Sequence, residues 1–223
     1  MLDDGPDPLG LIAAEPESEP VADRILDAAL GLFETFGLRK TTMDDVARAS
    51  GLGRATVYRR FPGKADLVNG VLMREARRFF GELDQAVADL PTLEEGIVEG
   101  FVATVRISRE QRLLNRLMVI EPDVLLPHAT ASAGPLLAAA RGYLAHRLRL
   151  ARRAAADGDG GDGADDTDAF DPEIVAEILV RLTHSLVLTP AGLIPLDDEG
   201  AREFARRYLV PVVDGARRPP SSG

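Results

Sequence analysis

The chain has 223 residues, of which 45% are apolar and 28% charged, enough to bury the core of one large domain or two modest ones and too apolar for a collagen-like or wholly disordered chain. It contains no cysteine, which removes disulfides, thiolate metal sites and cysteine nucleophiles together and fits a reducing, cytoplasmic setting. Net charge is −10, yet residues 21–80 carry 11 basic against 7 acidic side chains while the remaining residues carry 15 against 29, so an acidic body bears one basic segment.

Residues 1–20 hold six acids, four prolines and neither Lys nor Arg, which reads as a disordered acidic arm and is the reverse of a signal peptide's basic and then apolar order. From Val21 the apolar residues Ile25, Ala29, Leu32, Phe33 and Phe36 recur at helical spacing, and Gly37 stands where a left-handed C-terminal cap is wanted. Thr42 is an N-cap for a second, short helix, with Asp45 three residues on completing a capping box, and that helix ends near Gly51. A third helix spans 54–61 and stops at Pro62 and Gly63, and a fourth runs from Lys64 to about Leu90. Helical periodicity continues over about 92–107, 110–120, 135–155, 172–188 and 198–210, with no run of strand alternation between them, so the chain is expected to be all-α. The longest run without Asp, Glu, Lys or Arg, 124–140, is broken by Pro127, Gly134 and Pro135 and falls short of a membrane span. Residues 157–170 are so rich in Gly and Asp that they read as an exposed flexible loop, and the fifth position of an EF-hand pattern begun at Asp157 is Gly161, which bears no ligand. Asp171 and Pro172 then restart a helix as N-cap and first residue.

Residues 42–61, TMDDVARASGLGRATVYRRF, hold what a helix-turn-helix needs. Ala47 is small where two helices approach, Gly51 tolerates the positive φ of the turn, and Leu52, Val57 and Phe61 anchor the pair to the first helix. The second helix is then free to present Arg54, Thr56, Arg59 and Arg60 to a major groove, where Arg pairs with guanine and Thr meets a thymine methyl. The order FETFGLRKTT followed by MDDVARASGLGRATVYRRFPGKADLV closely resembles the tetracycline-repressor (TetR) family of bacterial transcription regulators, and the chain from Asp171 onward resembles the last two long helices of its actinobacterial members. That resemblance implies that Thr42, Tyr58 and Lys64 contact phosphates, that Arg54, Thr56 and Arg60 set sequence preference, and that Ala55 and Arg59 lie on the same DNA-reading surface. Gly53, Ala55 and Arg60 depart from the commonest residues at their positions, so the operator sequence does not transfer.

Beyond the helix-turn-helix the resemblance is one of architecture and of the C-terminal helices, DPEIVAEILVRLTHSLVLTP and DDEGAREFARRYLVPVV. It implies an N-terminal DNA-binding domain over 21–66, a larger helical effector-binding and dimerisation domain over 67–210, and a tail over 211–223. The apolar residues of 172–188 form a stripe too wide for a helix with a solvent side, and with the family's habit of pairing its last two helices this marks Ile178, Leu182, Leu186 and Phe204 as dimer-interface candidates. A two-fold dimer sets two recognition helices about 34 Å apart and so predicts a palindromic operator. Between 92 and 153 the resemblance implies an effector pocket, with Phe101, Leu117, Met118, Leu137 and Tyr143 as candidate walls and an apolar small molecule as ligand. No cofactor or metal is implied, since three scattered His without Cys make no metal site. No nucleophile, base and metal set is fixed in mutual reach, so a regulator rather than an enzyme is expected. The alternative is a helical protein that binds or sequesters a small molecule without useful DNA affinity, against which Arg54, Tyr58 and Lys64 argue.

Overall fold

The computed structural model describes residues 20–131, 133–158 and 171–215, and their periodic stretches form helices. In order these are α1 (Pro20–Phe36), α2 (Met43–Ser50), α3 (Arg54–Arg60), α4 (Lys64–Val87), α5 (Leu93–Glu110), α6 (Arg112–Ile120), α7 (Pro122–Ala129), α8 (Gly134–Gly158), α9 (Pro172–Leu188), α10 (Asp198–Phe204), a π-turn over Ala205–Leu209, and α11 (Val210–Gly215). No strand occurs among the described residues. The acidic arm over 1–19 and the Gly/Asp loop over 159–170 lie outside them.

Three details differ from the sequence expectation. Pro127 was expected to interrupt residues 124–140, yet α7 forms around it. The break falls earlier, at Glu121 (φ −140°, ψ 51°), because a residue preceding proline is pushed out of the helical region and Pro122 is preorganised to open the next helix. At the other end, residues 211–215 continue as helix where a tail was expected, and Val213 is fully buried. Pro211 lacks an N–H and its ring crowds the carbonyl four residues back; the wider π-turn just before it accommodates both. Phe36, assigned to the inward stripe of α1, is instead exposed, while Ile25, Ala29 and Phe33 are buried.

The described chain forms two compact units, the first from 20–81 and 109–133, the second from 82–108, 134–158 and 171–215. This division does not follow a boundary at residue 66. Three short helices bury too little surface alone. In the first unit Leu67 and Val71 of α4 and Leu113 and Leu117 of α6 join Ile25, Phe33, Val46 and Val57 in a single apolar core. In the second, Val98, Phe101 and Val105 of α5 pack with Ala145 and Leu148 of α8, Val175 and Leu179 of α9, and Leu209 and Val213 near the C-terminus.

A forked ion pair closes the second unit, with Arg202 donating from Nε to Glu99 Oε1 at 2.6 Å and from Nη2 to Oε2 at 2.9 Å. These donations, more than the opposing effect of burial, hold the Glu99 carboxyl below the ordinary glutamate range. A carboxyl depressed in the folded state stabilises it above the unfolded pKa, and that contribution is lost as pH falls through the folded value. Glu99→Gln should therefore lower stability at pH 7 by about 1 kcal/mol. Thermal unfolding should show the deficit shrinking as both proteins are taken below the carboxylate range; an equal deficit at all pH values contradicts this assignment.

Candidate nucleic-acid interface

The α2–α3 corner is fixed by polar contacts at each end of α2. Thr42 Oγ1 accepts the Asp45 N–H at 3.2 Å, and Asp45 Oδ2 accepts both the Thr42 N–H at 3.1 Å and its hydroxyl at 2.6 Å, a reciprocal capping box. The Thr42 hydroxyl is the main reason that the Asp45 carboxyl lies below its usual range, with the Thr42 N–H and Arg48 adding to it. At the other end Gly51 takes φ +66°, and the Leu52 N–H returns to the Ala47 carbonyl at 3.1 Å, which satisfies an end-of-helix acceptor while turning the chain. Arg24 of α1 donates to the Ser50 carbonyl at 2.8 Å and ties the corner down.

Burial then decides which face of α3 is displayed. Val57 is fully buried beside Ala47, and Leu52 and Phe61 pack partly against the same core. Arg54, Ala55, Tyr58, Arg59 and Arg60 are exposed, and Thr56 is half-buried. Tyr58 keeps 45% of its surface open, a large aromatic left outside a core with room for apolar side chains. Arg54 is held in an ion pair with Asp44 of α2. Lys64, at the start of α4, donates from Nζ to the Arg39 carbonyl at 3.1 Å, and Thr42 is exposed beside the same stretch of chain. The structure thus places all eight candidate DNA-binding residues in one unit, on α3 and the helix starts flanking it.

An exposed basic helix with one buried residue at the centre of a glycine-turned helix pair fits a major-groove reader. The description of the bacterial regulatory proteins of the tetR family matches residues 25–71. The HTH-type transcriptional regulator AlkX of Mycobacterium tuberculosis (strain ATCC 25618 / H37Rv) is 29% identical over 204 residues, 90% of this chain and 89% of the relative. The HTH-type regulator Rv1255c of the same strain is 28% identical over 199 residues, 89% of this chain and 88% of its own. Among solved structures, the TetR-family repressor AlkX from Dietzia sp. strain DQ12-45-1b shares the fold with a TM-score of 0.59 at 25% identity, covering 89% of this chain and 99% of that one. Residues 25–71 thus carry the tetR-family match, and the relatives that match nearly the whole chain are HTH-type transcriptional regulators.

The chain is a helix-turn-helix DNA-binding transcriptional regulator. No described helix is long and apolar enough to cross a membrane. The five residues nominated as walls of an effector pocket fall in two different units. Leu117 is buried, and Met118 half-buried, on α6 in the unit that carries the helix-turn-helix. Phe101 is buried in the second unit with its ring 5.6 Å from that of Phe204, Leu137 is half-buried, and the Tyr143 hydroxyl donates to Asp84 at 3.1 Å. Burial, reinforced by the Asp84 charge, pushes the Tyr143 pKa well above the usual phenol value. The dimer candidates also separate. Ile178 and Leu182 are exposed, whereas Leu186 and Phe204 pack partly against their own core.

Sequence reading missed Asp44 and Glu121. Asp44 gives no signal by spacing, since its partner Arg54 lies across a turn. Glu121 gives a faint one, an acid just before a proline within an apolar stretch, and it is almost wholly buried. The left-handed turn yields a direct test of the corner. Gly51→Ala introduces a side chain at φ +66° and should cost about 1 kcal/mol in urea unfolding; a neutral or stabilising result contradicts the observed turn.

Proposed function

We infer that this chain acts at the bacterial nucleoid as a homodimeric repressor of the TetR family, that it reads a palindromic operator, and that a small apolar effector releases it. The observation that carries the DNA-reading part is the division of α3 between one buried anchor, Val57, and an exposed face bearing Arg54, Ala55, Tyr58, Arg59 and Arg60. Thr42, Tyr58 and Lys64 are assigned to phosphates, which position the helix, and Arg54, Thr56 and Arg60 to base edges, which specify.

Support for the homodimer comes from α9. Its inward residues Val175 and Leu179 are buried, while Ile174, Ile178 and Leu182 on another face stay 58%, 47% and 36% exposed in the single chain. An apolar ridge of this kind on a C-terminal helix is what a second copy covers. Leu186 and Phe204, partly covered already, border that ridge at most.

For the effector, the Dietzia relative is a repressor implicated in biodegradation of n-alkanes, and of the nominated residues the second unit holds the apolar Phe101 and Leu137, with Tyr143 adding a hydroxyl. An apolar effector class follows. Release requires that the effector bind the DNA-free arrangement more tightly than the DNA-bound one.

Selection of the purified chain against random duplex DNA at physiological salt tests the reading of DNA, and an enriched palindrome is the expected result. Arg54→Ala should lose about 1–3 kcal/mol at one base position, whereas Lys64→Ala should weaken binding to every sequence and flatten the salt dependence. No enrichment from a well-folded dimer overturns operator reading and favours a small-molecule sequestering protein. On the interface, Leu182→Asp should give monomers in sedimentation where the wild type gives dimers; a persistent dimer places the contact elsewhere.

A further inference from the structure

Among the charged side chains of the described residues, Glu121 stands apart by its burial. It is 6% exposed, lies at the corner between α6 and α7, and reaches across 82 residues of sequence to the connection between α1 and α2. There its carboxylate accepts the Leu38 N–H at 2.9 Å on Oε2 and the Arg39 N–H at 3.0 Å on Oε1 and 3.2 Å on Oε2. Two backbone donors that follow a helix end are thereby satisfied by one buried charge.

The surroundings fit that grip. Gly37 takes φ +85°, and a Cβ placed on it would lie 2.5 Å from Glu121 Oε1, so the carboxylate occupies the space a side chain would need. Thr41, itself buried, donates its hydroxyl to the Gly37 carbonyl at 2.8 Å and closes the loop. Arg39 forms an ion pair with Asp123 in the first turn of α7, and its carbonyl receives Lys64 Nζ. Arg116 of α6 donates to the Thr35 carbonyl at 3.1 Å near the end of α1. The connection that leads into the helix-turn-helix is therefore held from α6, α7 and the start of α4 together.

We propose that Glu121 is a positioning residue for DNA recognition, its buried carboxylate fixing the orientation of the helix-turn-helix on α6 and α7 and so setting the spacing of half-sites that the protein accepts. The proposal rests on the homodimer reading above. Apolar contacts in the core of this unit hold α1 near α6 but are non-directional, and allow some sliding. Hydrogen bonds from two consecutive amides to one carboxylate fix an angle as well as a distance.

The test uses the full chain as wild type, Glu121→Gln and Glu121→Ala, with two readouts. Hydrogen exchange at the Leu38 and Arg39 amides should speed up by roughly tenfold or more in Glu121→Ala, and by less in Glu121→Gln, which keeps one acceptor oxygen. Binding should then be measured on duplexes whose two selected half-sites are moved apart or together by about two base pairs. The wild type is expected to prefer one spacing. Glu121→Ala should keep the same half-site sequence, bind the preferred spacing roughly tenfold more weakly, and accept neighbouring spacings nearly as well.

Unchanged amide exchange overturns the proposal, and so does faster exchange with an unchanged spacing profile, because the carboxylate would then be structural only. If Glu121→Ala does not fold, Glu121→Gln carries both readouts. The wild-type profile separates this proposal from the reading beneath it. A wild type that binds single half-sites without spacing preference defeats the homodimer reading, and the spacing claim with it, whereas a wild type with a sharp preference that the variants share defeats the Glu121 claim alone.

Discussion

The helix-turn-helix depends on the burial of Val57. A seven-residue helix has no stability of its own in water, because nucleation costs more than so few hydrogen bonds return. Packing against α1, α4 and α6 supplies what propensity does not, and Val57 is the α3 residue fully enclosed by that core. The consequence for DNA reading is rotational. With Val57 fixed inward, helical periodicity sends Ala55 and Arg59 to the opposite side and Tyr58 to the flank, while Arg54, three residues before Val57, stays outside at the open first turn of the helix, paired with Asp44. The orientation of the exposed face of α3 is thus determined by its opposite side.

Charge distribution adds a second constraint. The chain is acidic overall, and acids stand close to the reading face, Asp44 beside Arg54 and Asp45 beside Arg48. Neither is an idle negative charge. Asp45 accepts the Thr42 backbone and hydroxyl protons, and Asp44 draws the Arg54 guanidinium toward α2 before DNA arrives. A phosphate or a guanine edge must therefore compete with a carboxylate for Arg54. Such competition weakens non-specific binding more than specific binding, because a bidentate base contact exceeds what a loosely placed phosphate provides. An acidic body with a locally neutralised basic helix is then suited to discriminate between DNA sequences rather than to bind all of them.

How much of this was legible in the sequence follows from the range of each signal. The capping box at Thr42 and Asp45, the left-handed turn at Gly51 and the inward Val57 are local, set by residues within one or two turns of each other, and the structure has them where spacing put them. α7 was not legible because a proline read as a breaker also opens a helix when the residue before it leaves the helical region. The grouping of α6 with the helix-turn-helix was out of reach for a different reason. Apolar periodicity says that Leu117 and Phe101 are buried but not against what, and the structure sends one to each core. Glu121 and its two amide partners are separated by more than eighty residues, a distance over which a single sequence carries no pairing information.

That division of labour between local and distant contacts bears on how a regulator of this kind is built. The shape of the corner is specified locally, so α3 can change its exposed residues, and on the proposed reading its operator with them, while Val57, Gly51 and the capping box keep their shape. The placement of that surface is specified by distant contacts, and these are of two unequal kinds. The apolar core shared by α1, α4 and α6 contributes most of the stability but tolerates small rotations, since burial depends on area rather than angle. The carboxylate of Glu121 adds little area and fixes direction. On the proposed reading, in which two reading heads are held at one separation and given up when an effector favours another arrangement, both are needed: a core that survives the change and a small set of directional contacts that differ between the two states. In the first unit of this chain the polar contacts that span α6, α7 and the α1–α2 connection are the ones of that directional kind.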